Sequence, residues 1–320
     1  MTLKLDLKNI KILNILNENA RYSNSQIAKK VKLSKPAVEY RINRLEKNNV
    51  IFEYYTILNF TKLGLSQYKS YFKFQNLTSE DEERIINYWL NLKDAIWVVQ
   101  TRGRWDLTVS FLAKSNYEFG KILREFMNIF SNFILDKEIL MTESSSIYPR
   151  KYLGETKPLE FVYGIPIEIY RLDEIDKKIL KELSTNSRIS IVNLVKKTKL
   201  TRDIISYRLR KLAKENIIIK FGCELNLQNI GVKYYKLMVR TKNFNDKAEQ
   251  RLKIYVSNHK RVVQILKLIG SWDIEIEFET ETEDELYQTL TELRKEFSSI
   301  IKDFDILRLI KVHKYNYFPF

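Results

Sequence analysis

The sequence predicts an α+β fold made from one module written twice. Three observations carry this. A self-similarity runs through the chain at a constant offset of 167 residues. Each copy opens on apolar residues at helical spacing and then changes to strand-like segments alternating with longer helical ones. The excess positive charge collects in the two helical openings.

The repeat is read from pairs at that fixed offset. Leu5-Asp6 matches Leu172-Asp173, Arg21-Tyr22-Ser23 matches Arg188-Ile189-Ser190, and Tyr40-Arg41 matches Tyr207-Arg208. Gly64 matches Gly231, and Gly103-Arg104-Trp105-Asp106 matches Gly270-Ser271-Trp272-Asp273. About a third of positions 5–65 are identical to their counterparts without a gap. A period this long is a whole duplicated domain set rather than a solenoid repeat.

In the first copy, Asp6 caps a first helix carrying Ile10, Leu13 and Leu16. Ser23 opens a second, with Gln26 placed to complete a capping box. After the turn Val31-Lys32-Leu33, Ser34 caps a third helix with Val38, Ile42 and Leu45 on one face. Three helices with a short turn between the last two make a helix-turn-helix. Residues 51–55 and 56–58 read as two short strands, a wing. The second copy repeats the scheme with Asp173, Ser190 and Thr201 as caps and Ile205, Leu209 and Leu212 as the inner face.

The rest of each copy reads strand–helix–strand–strand–helix–strand. In the first copy the strands fall near 67–74, 95–101, 106–113 and 134–144, and the helices near 79–92 and 116–133. Phe119, Leu123, Phe126, Phe130 and Phe133 share a helical face, as do Leu286, Leu290, Leu293, Phe297 and Ile300. This order is the ferredoxin-like βαββαβ arrangement. Prolines 149, 158 and 166 with Gly154 and Gly164 mark a linker, and its apolar residues predict that it docks. The expected organisation is a winged helix-turn-helix domain at 1–60 and a ferredoxin-like domain at 61–145. A linker at 146–166 follows, then a second winged helix-turn-helix domain at 167–227. A second ferredoxin-like domain at 228–320 ends in an aromatic tail.

Composition narrows the chemistry. The chain has 320 residues, 44% of them hydrophobic and 30% charged, the balance of a globular protein. One cysteine, Cys223, excludes an intrachain disulfide framework and a multi-cysteine metal site. Two histidines, His259 near the end of an expected helix and His313 after the last strand, offer little to metal or imidazole chemistry. No Gly-rich phosphate loop or Ser–His pair is present. The expectation is therefore no cofactor, no metal and no enzyme. No apolar run reaches the roughly 18 residues of a membrane span, and the opening lacks a secretory pattern, so the expected location is the cytoplasm.

The formal charge is +15, and residues 1–60 and 167–227 each carry +6 of it. Basic heads beside nearly neutral bodies are a footprint for polyanions. With its aliphatic stripe turned inward, the third helix presents Pro36, Tyr40, Asn43 and Arg44, with Lys35 in its first turn. Its counterpart presents Asp203, Tyr207, Arg210 and Lys211, with Arg202 first. A helix of this kind fits the major groove of double-stranded DNA. Arg and Asn can bond base edges there, and Lys and Arg reach phosphates. Ser34 and Thr201 can hold a phosphate at the helix N-termini. Asp203 against Pro36, and Arg210 against Asn43, predict that the heads read different half-sites.

The segment Leu33-Ser34-x-x-x-Val38-x-x-Arg41-Ile42-x-x-Leu45-Glu46, with Val50-Ile51, Leu58 and Leu63-Gly64, resembles the Lrp/AsnC (feast/famine) transcriptional regulators. Leu200-Thr201-x-x-x-Ile205-x-x-Arg208-Leu209-x-x-Leu212 and Ile230-Gly231 resemble them again. The resemblance spans nearly the whole chain twice, leaving the linker outside. It implies a sequence-specific DNA-binding regulator whose ferredoxin-like parts dimerise, here as an intramolecular pseudo-dimer open to further homo-oligomerisation. The family's glycine pair at the wing is replaced by Asn49/Glu53 and Asn216/Lys220.

The Gly-x-Trp-Asp turns carry two readings. The resemblance implies a small-molecule effector site around them, often for an amino acid, with Gly103, Arg104, Asp106, Gly270, Ser271 and Asp273 as its residues. The residues alone equally describe a tight turn that needs Gly, a core tryptophan and a strand-capping Asp. Two rival functions remain: a siroheme-decarboxylase-like enzyme of similar fold, and chromatin-like DNA packaging.

Overall fold

The structure, a computed structural model, describes residues 5–154, 160–164 and 168–320. Pro158 and Pro166 of the expected linker lie outside the described residues.

The first head contains α1 (Leu7–Glu18), α2 (Asn24–Val31) and α3 (Lys35–Lys47). Each begins where a side-chain oxygen can accept an orphan backbone N–H. Asp6 accepts from Asn9, Ser23 forms a full capping box with Gln26, and Ser34 accepts from Ala37. Lys32, at φ 55°, ends α2 in the left-handed conformation. Asn49, at φ 51°, takes that conformation after α3, so asparagine does at the wing what glycine commonly does.

The wing differs from expectation. Residues 51–58 form one continuous strand, β1 (Ile51–Leu58), rather than two short ones. Its ladder partner is the matching strand of the second copy, β7 (Ile218–Leu225 below), so no local hairpin is needed.

The first body follows: β2 (Ser66–Phe74), α4 (Ser79–Asn91), β3 (Ala95–Arg102), β4 (Leu107–Ala113), α5 (Asn116–Phe130) and β5 (Ile134–Ile147). β5 runs two residues into the segment expected as linker. A short strand, β6 (Phe161–Tyr163), then pairs with β5 through residues 145–147. The second head has α6 (Glu174–Thr185), α7 (Ile191–Thr198), α8 (Arg202–Lys214) and β7 (Ile218–Leu225). The second body has β8 (Lys233–Thr241), α9 (Asp246–Asn258), β9 (Val262–Ile269), β10 (Ile274–Thr280), α10 (Glu283–Glu296) and β11 (Ile301–Tyr315). His313 therefore lies inside the last strand, not after it.

The two bodies share one sheet. The order runs β2-β4-β3-β11-β8-β10-β9-β5, and β5 pairs back onto β2, so eight antiparallel strands close into a ring. Closure removes the open edges that isolated sheets expose. Outside the ring, Phe72, Trp89, Phe111 and Phe126 pack the helices of the first body, and Leu237, Ile276, Phe278 and Leu293 do so in the second. Inside it, Trp105 and Trp272 meet with Leu140, Leu307 and Met238.

The interior is also charged. Lys69 Nζ lies 2.5 Å from Glu275, Lys236 contacts Glu275 and lies 2.6 Å from Glu277, and Tyr71 donates to Glu275 at 2.7 Å. All are buried. The two lysines beside Glu275 hold its carboxyl far below the usual range, while burial draws Lys69 down to about 8. Arg150, from the linker, is buried as well; it meets Glu279 at 2.9 Å and Glu224 at 3.5 Å.

Candidate nucleic-acid interface

The heads are locked to each other before they meet any partner. Arg21 donates to the carbonyls of Ser187 and Ile189 at 2.7 and 3.0 Å. Arg188, its counterpart, donates to Ala20 and Tyr22 at 2.5 and 2.8 Å and to Asn24 at 2.6 Å. Beneath them β1 and β7 pair through seven register positions, from Ile51↔Leu225 to Leu58↔Ile218. Ala20 N–H reaches the Phe221 carbonyl, and Ser187 N–H reaches that of Tyr54. This reciprocal frame fixes the placement of α3 relative to α8.

Each third helix is also fixed to its own head. Arg41 bonds the α1 cap Asp6 at 2.7 Å and Asn9 at 2.8 Å. Arg208 bonds Asp173 at 2.6 Å and Asp176 at 3.2 Å. Arg41, with the Asn9 N–H, holds the Asp6 carboxyl below the usual range, and the Asp176 N–H, with Arg208, does the same for Asp173. Val38, Ile42 and Leu45 turn inward in α3, and Ile205 and Leu212 in α8.

The outward faces are solvent-exposed. Tyr40 is 65% exposed and Tyr207 58%, far from the state of a buried core tyrosine. Ser34, Lys35, Pro36, Asn43 and Arg44 are exposed around Tyr40, and Thr201, Arg202, Asp203 and Arg210 around Tyr207. Lys211 departs from this face. It is half-buried and turns toward Tyr170, its Nζ 5.5 Å from the ring centre. Arg210 Nε bonds the Ser206 carbonyl of its own helix at 3.2 Å. Arg21 and Arg188 lie outside the expected DNA-reading set, and their identity at matched positions is the one sequence signal of their joining role.

The Gly-x-Trp-Asp turns sit elsewhere, against the opposite body. A Cβ on Gly103, at φ 129°, would come within 2.8 Å of the Ile306 carbonyl oxygen. A Cβ on Gly270, at φ 149°, would come within 2.5 Å of the Leu140 side chain. Asp106 accepts from Phe74 N–H at 2.9 Å and Lys73 Nζ at 2.8 Å. Asp273 accepts from Thr241 N–H at 2.6 Å and its hydroxyl at 2.9 Å. Both carboxylates thus cap strands, and both tryptophans are buried. Arg104 and Ser271 stand exposed beside them, and Asp106 borders a cavity of about 410 Å³ that also has Gln75, Thr78 and Arg102 on its walls.

The histidines are apart. His259 ends α9 and its Nδ1 accepts from Arg261 N–H at 3.2 Å; His313 Nε2 lies 2.7 Å from Gln100 Oε1. Burial lowers the pKa of both. No group of three or more metal-ligating side chains occurs among the described residues, and no described helix is long and apolar enough to cross a membrane.

Two exposed basic helices on three-helix heads define a DNA-binding class, and comparison with known proteins agrees. The winged helix-turn-helix DNA-binding family matches residues 5–51 and again 172–219. A helix-turn-helix transcriptional regulator of Pyrococcus abyssi is 31% identical over 104 residues, 32% of this chain and 69% of that protein. The proline dehydrogenase transcriptional activator of Rhizobium radiobacter is 31% identical over 103 residues, 32% of this chain and 66% of it. Each match spans about one module. The siroheme decarboxylase NirDL superposes on 97% of this chain and 93% of its own, with a TM-score of 0.61 at 13% identity, a likeness of fold. The chain belongs to the helix-turn-helix transcriptional regulators, with the winged helix-turn-helix module in tandem.

Proposed function

We propose that the chain works as an intramolecular pseudo-dimer: one polypeptide presents two recognition helices to two half-sites of one operator. The observation that carries this is the reciprocal Arg21/Arg188 lock over the β1–β7 ribbon, which holds α3 and α8 in one frame. In a dimer of separate subunits such pairing is bimolecular; here the linker supplies a high effective concentration. Tyr40, Asn43 and Arg44, and Tyr207 and Arg210, are the proposed base- and backbone-reading residues. Lys35 and Arg202 are the proposed phosphate contacts, with Ser34, Pro36 and Thr201 at the helix starts. Lys211 would have to leave Tyr170 to join them.

The bodies are proposed to set the spacing and to carry any effector response around the Gly103–Asp106 and Gly270–Asp273 turns, with further homo-oligomerisation built on them. The proposed location is the cytoplasm, and the proposed role is regulatory rather than catalytic. The separated, individually engaged histidines support this over a tetrapyrrole-decarboxylating role. Footprinting on genomic DNA tests it. A discrete protected site with two half-sites, lost steeply as salt rises, is the expected result. Uniform coverage would instead assign a packaging role, and a shifted absorption band on adding siroheme would reopen the enzyme reading.

A further inference from the structure

β5 and β11 are counterparts, but the ends of their free sides differ. β5 pairs with β9 on one side, and with β2 on the other as far as Met141. Beyond that point β6 takes the vacant side, opposite Ser145–Ile147. Gly164 then lies so close to the chain that a Cβ there would come within 2.3 Å of the Glu143 carbonyl oxygen. β11 likewise pairs with β3 from Arg308 to Tyr315 and with β8 only to Leu309. Past Leu309, no strand among the described residues pairs with the β8 side.

In that place lies an open groove of about 290 Å³. Its walls are β11 from Arg308 to Val312, the start of β8 at Val232–Tyr234, the Asn226–Gln228 loop and Phe52 of the ribbon. Phe52 is 47% exposed, a large aromatic surface at the groove's lip. The Ile310 carbonyl accepts from the side-chain amide of Gln228 at 2.5 Å.

We propose that this groove docks a short extended segment of a partner protein, apolar in its middle and acidic in its flanks, which adds to β11 as β6 adds to β5. The chain itself supplies the template, since the equivalent groove is filled by a strand. Main-chain pairing of this kind gives affinity, and the flanking side chains give specificity.

Charge decides the occupant. The filled groove has Ser66, Met141, Glu143 and Ser144 where the open one has Lys233, Arg308, Ile310 and Lys311. Three cations therefore replace neutral residues, and one anion is gone. Lys233 meets Glu283 at 3.1 Å, whereas Arg308 and Lys311 are exposed and make no ion pair among the described residues. Glu224, at the inner end, is held by Arg150. The stretch 159–164 that contains β6 offers one carboxylate, Glu160; a partner for the open groove needs more. A second copy of the chain fits poorly, because β11 bulges between Val312 and Lys314 where β5 does not. Such a bulge bends the edge and limits pairing to a few residues, the length of β6.

The test uses the full chain and two labelled peptides. One has the sequence of residues 159–164; the other has two glutamates added ahead of it. Fluorescence polarisation is expected to show saturable binding, tighter for the acidic peptide and weakened by salt. Arg308→Glu with Lys311→Glu, both at the rim, is expected to weaken it at least ~10-fold while leaving the melting temperature unchanged. Phe52→Ala is expected to weaken both peptides. Amide exchange should slow at residues 310–314 on binding. Arg44→Glu with Arg210→Glu should leave peptide affinity intact, which separates this site from the DNA-reading helices. Equal binding of a scrambled acidic peptide, loss of binding in the Arg44/Arg210 variant, or protection elsewhere would overturn the proposal.

Discussion

The inner faces of β4 and β10 occupy matching places in the two bodies. β4 presents Thr108, Ser110 and Leu112 to the interior of the ring, and β10 presents Glu275, Glu277 and Glu279. The acidic row is neutralised partly from its own body, by Lys236, and partly from outside it, by Lys69 of the first body and Arg150 of the linker. Two copies of the second body would bury six such carboxylates against two copies of Lys236. Two copies of the first would bury Lys69 with none of these carboxylates. Duplication followed by divergence has made the halves complementary, and complementarity is what joins this half to that one. The heads tell the opposite story. There the joining residues, Arg21 and Arg188, stayed identical, and around the shared Tyr40 and Tyr207 the other outward residues diverged.

The sharpest way to break the comparison is to make the second interior like the first. Glu275→Thr with Glu277→Ser leaves two buried lysines without counter-charges. We expect a loss of ~3–5 kcal/mol in urea unfolding, since an unpaired buried charge is costly. Adding Lys69→Met and Lys236→Met should recover most of it. Failure to recover would mean the network matters for more than charge balance.

Next in size is a comparison of the heads. Arg44→Glu and Arg210→Glu, made singly, are each expected to weaken operator binding ~10-fold or more, and each to relax protection of a different half-site. Equal effects on both half-sites would show that the heads are interchangeable.

The smallest expected effect concerns the ribbon. Glu53 and Glu224 face each other across β1 and β7, and burial pushes both carboxyls up to about 7, helped at Glu53 by repulsion from Glu224 and at Glu224 by repulsion from Glu279. A raised carboxyl favours the folded state only while protonated. That contribution is complete below the ordinary carboxyl range and is lost as pH rises through about 7. Melting temperature should therefore fall from about pH 5 to about pH 7 and level off above it. Glu53→Gln should reduce that fall, raising the pH 8 value by about 2 °C. An unchanged pH profile would place the titration elsewhere.

The helical frame was plain in the sequence because its signals are local. Asp6, Ser23, Ser34, Asp173, Ser190 and Thr201 all cap the helices whose spacing announced them. The exposed tyrosines followed from the inward stripe of Val38, Ile42 and Leu45. Lys211 did not, because its partner Tyr170 comes from the stretch leading into α6, far outside the helix's own periodicity. The wing was misdivided for a similar reason. Residues 51–58 look like two short strands when a local hairpin is sought, and like one when β7 is available to pair with it.

The module, its duplication, its caps and the sign and place of its charge are all written in the order of the residues. Each of these depends on neighbours within a turn or two, or on identity at a fixed offset. Only the tertiary structure decided that eight strands from two bodies close one ring, that an arginine from the linker is buried between two glutamates, and that one of two equivalent grooves is filled while the other stays open. Those outcomes rest on long-range pairing, where geometry selects the partner and the local sequence does not name it.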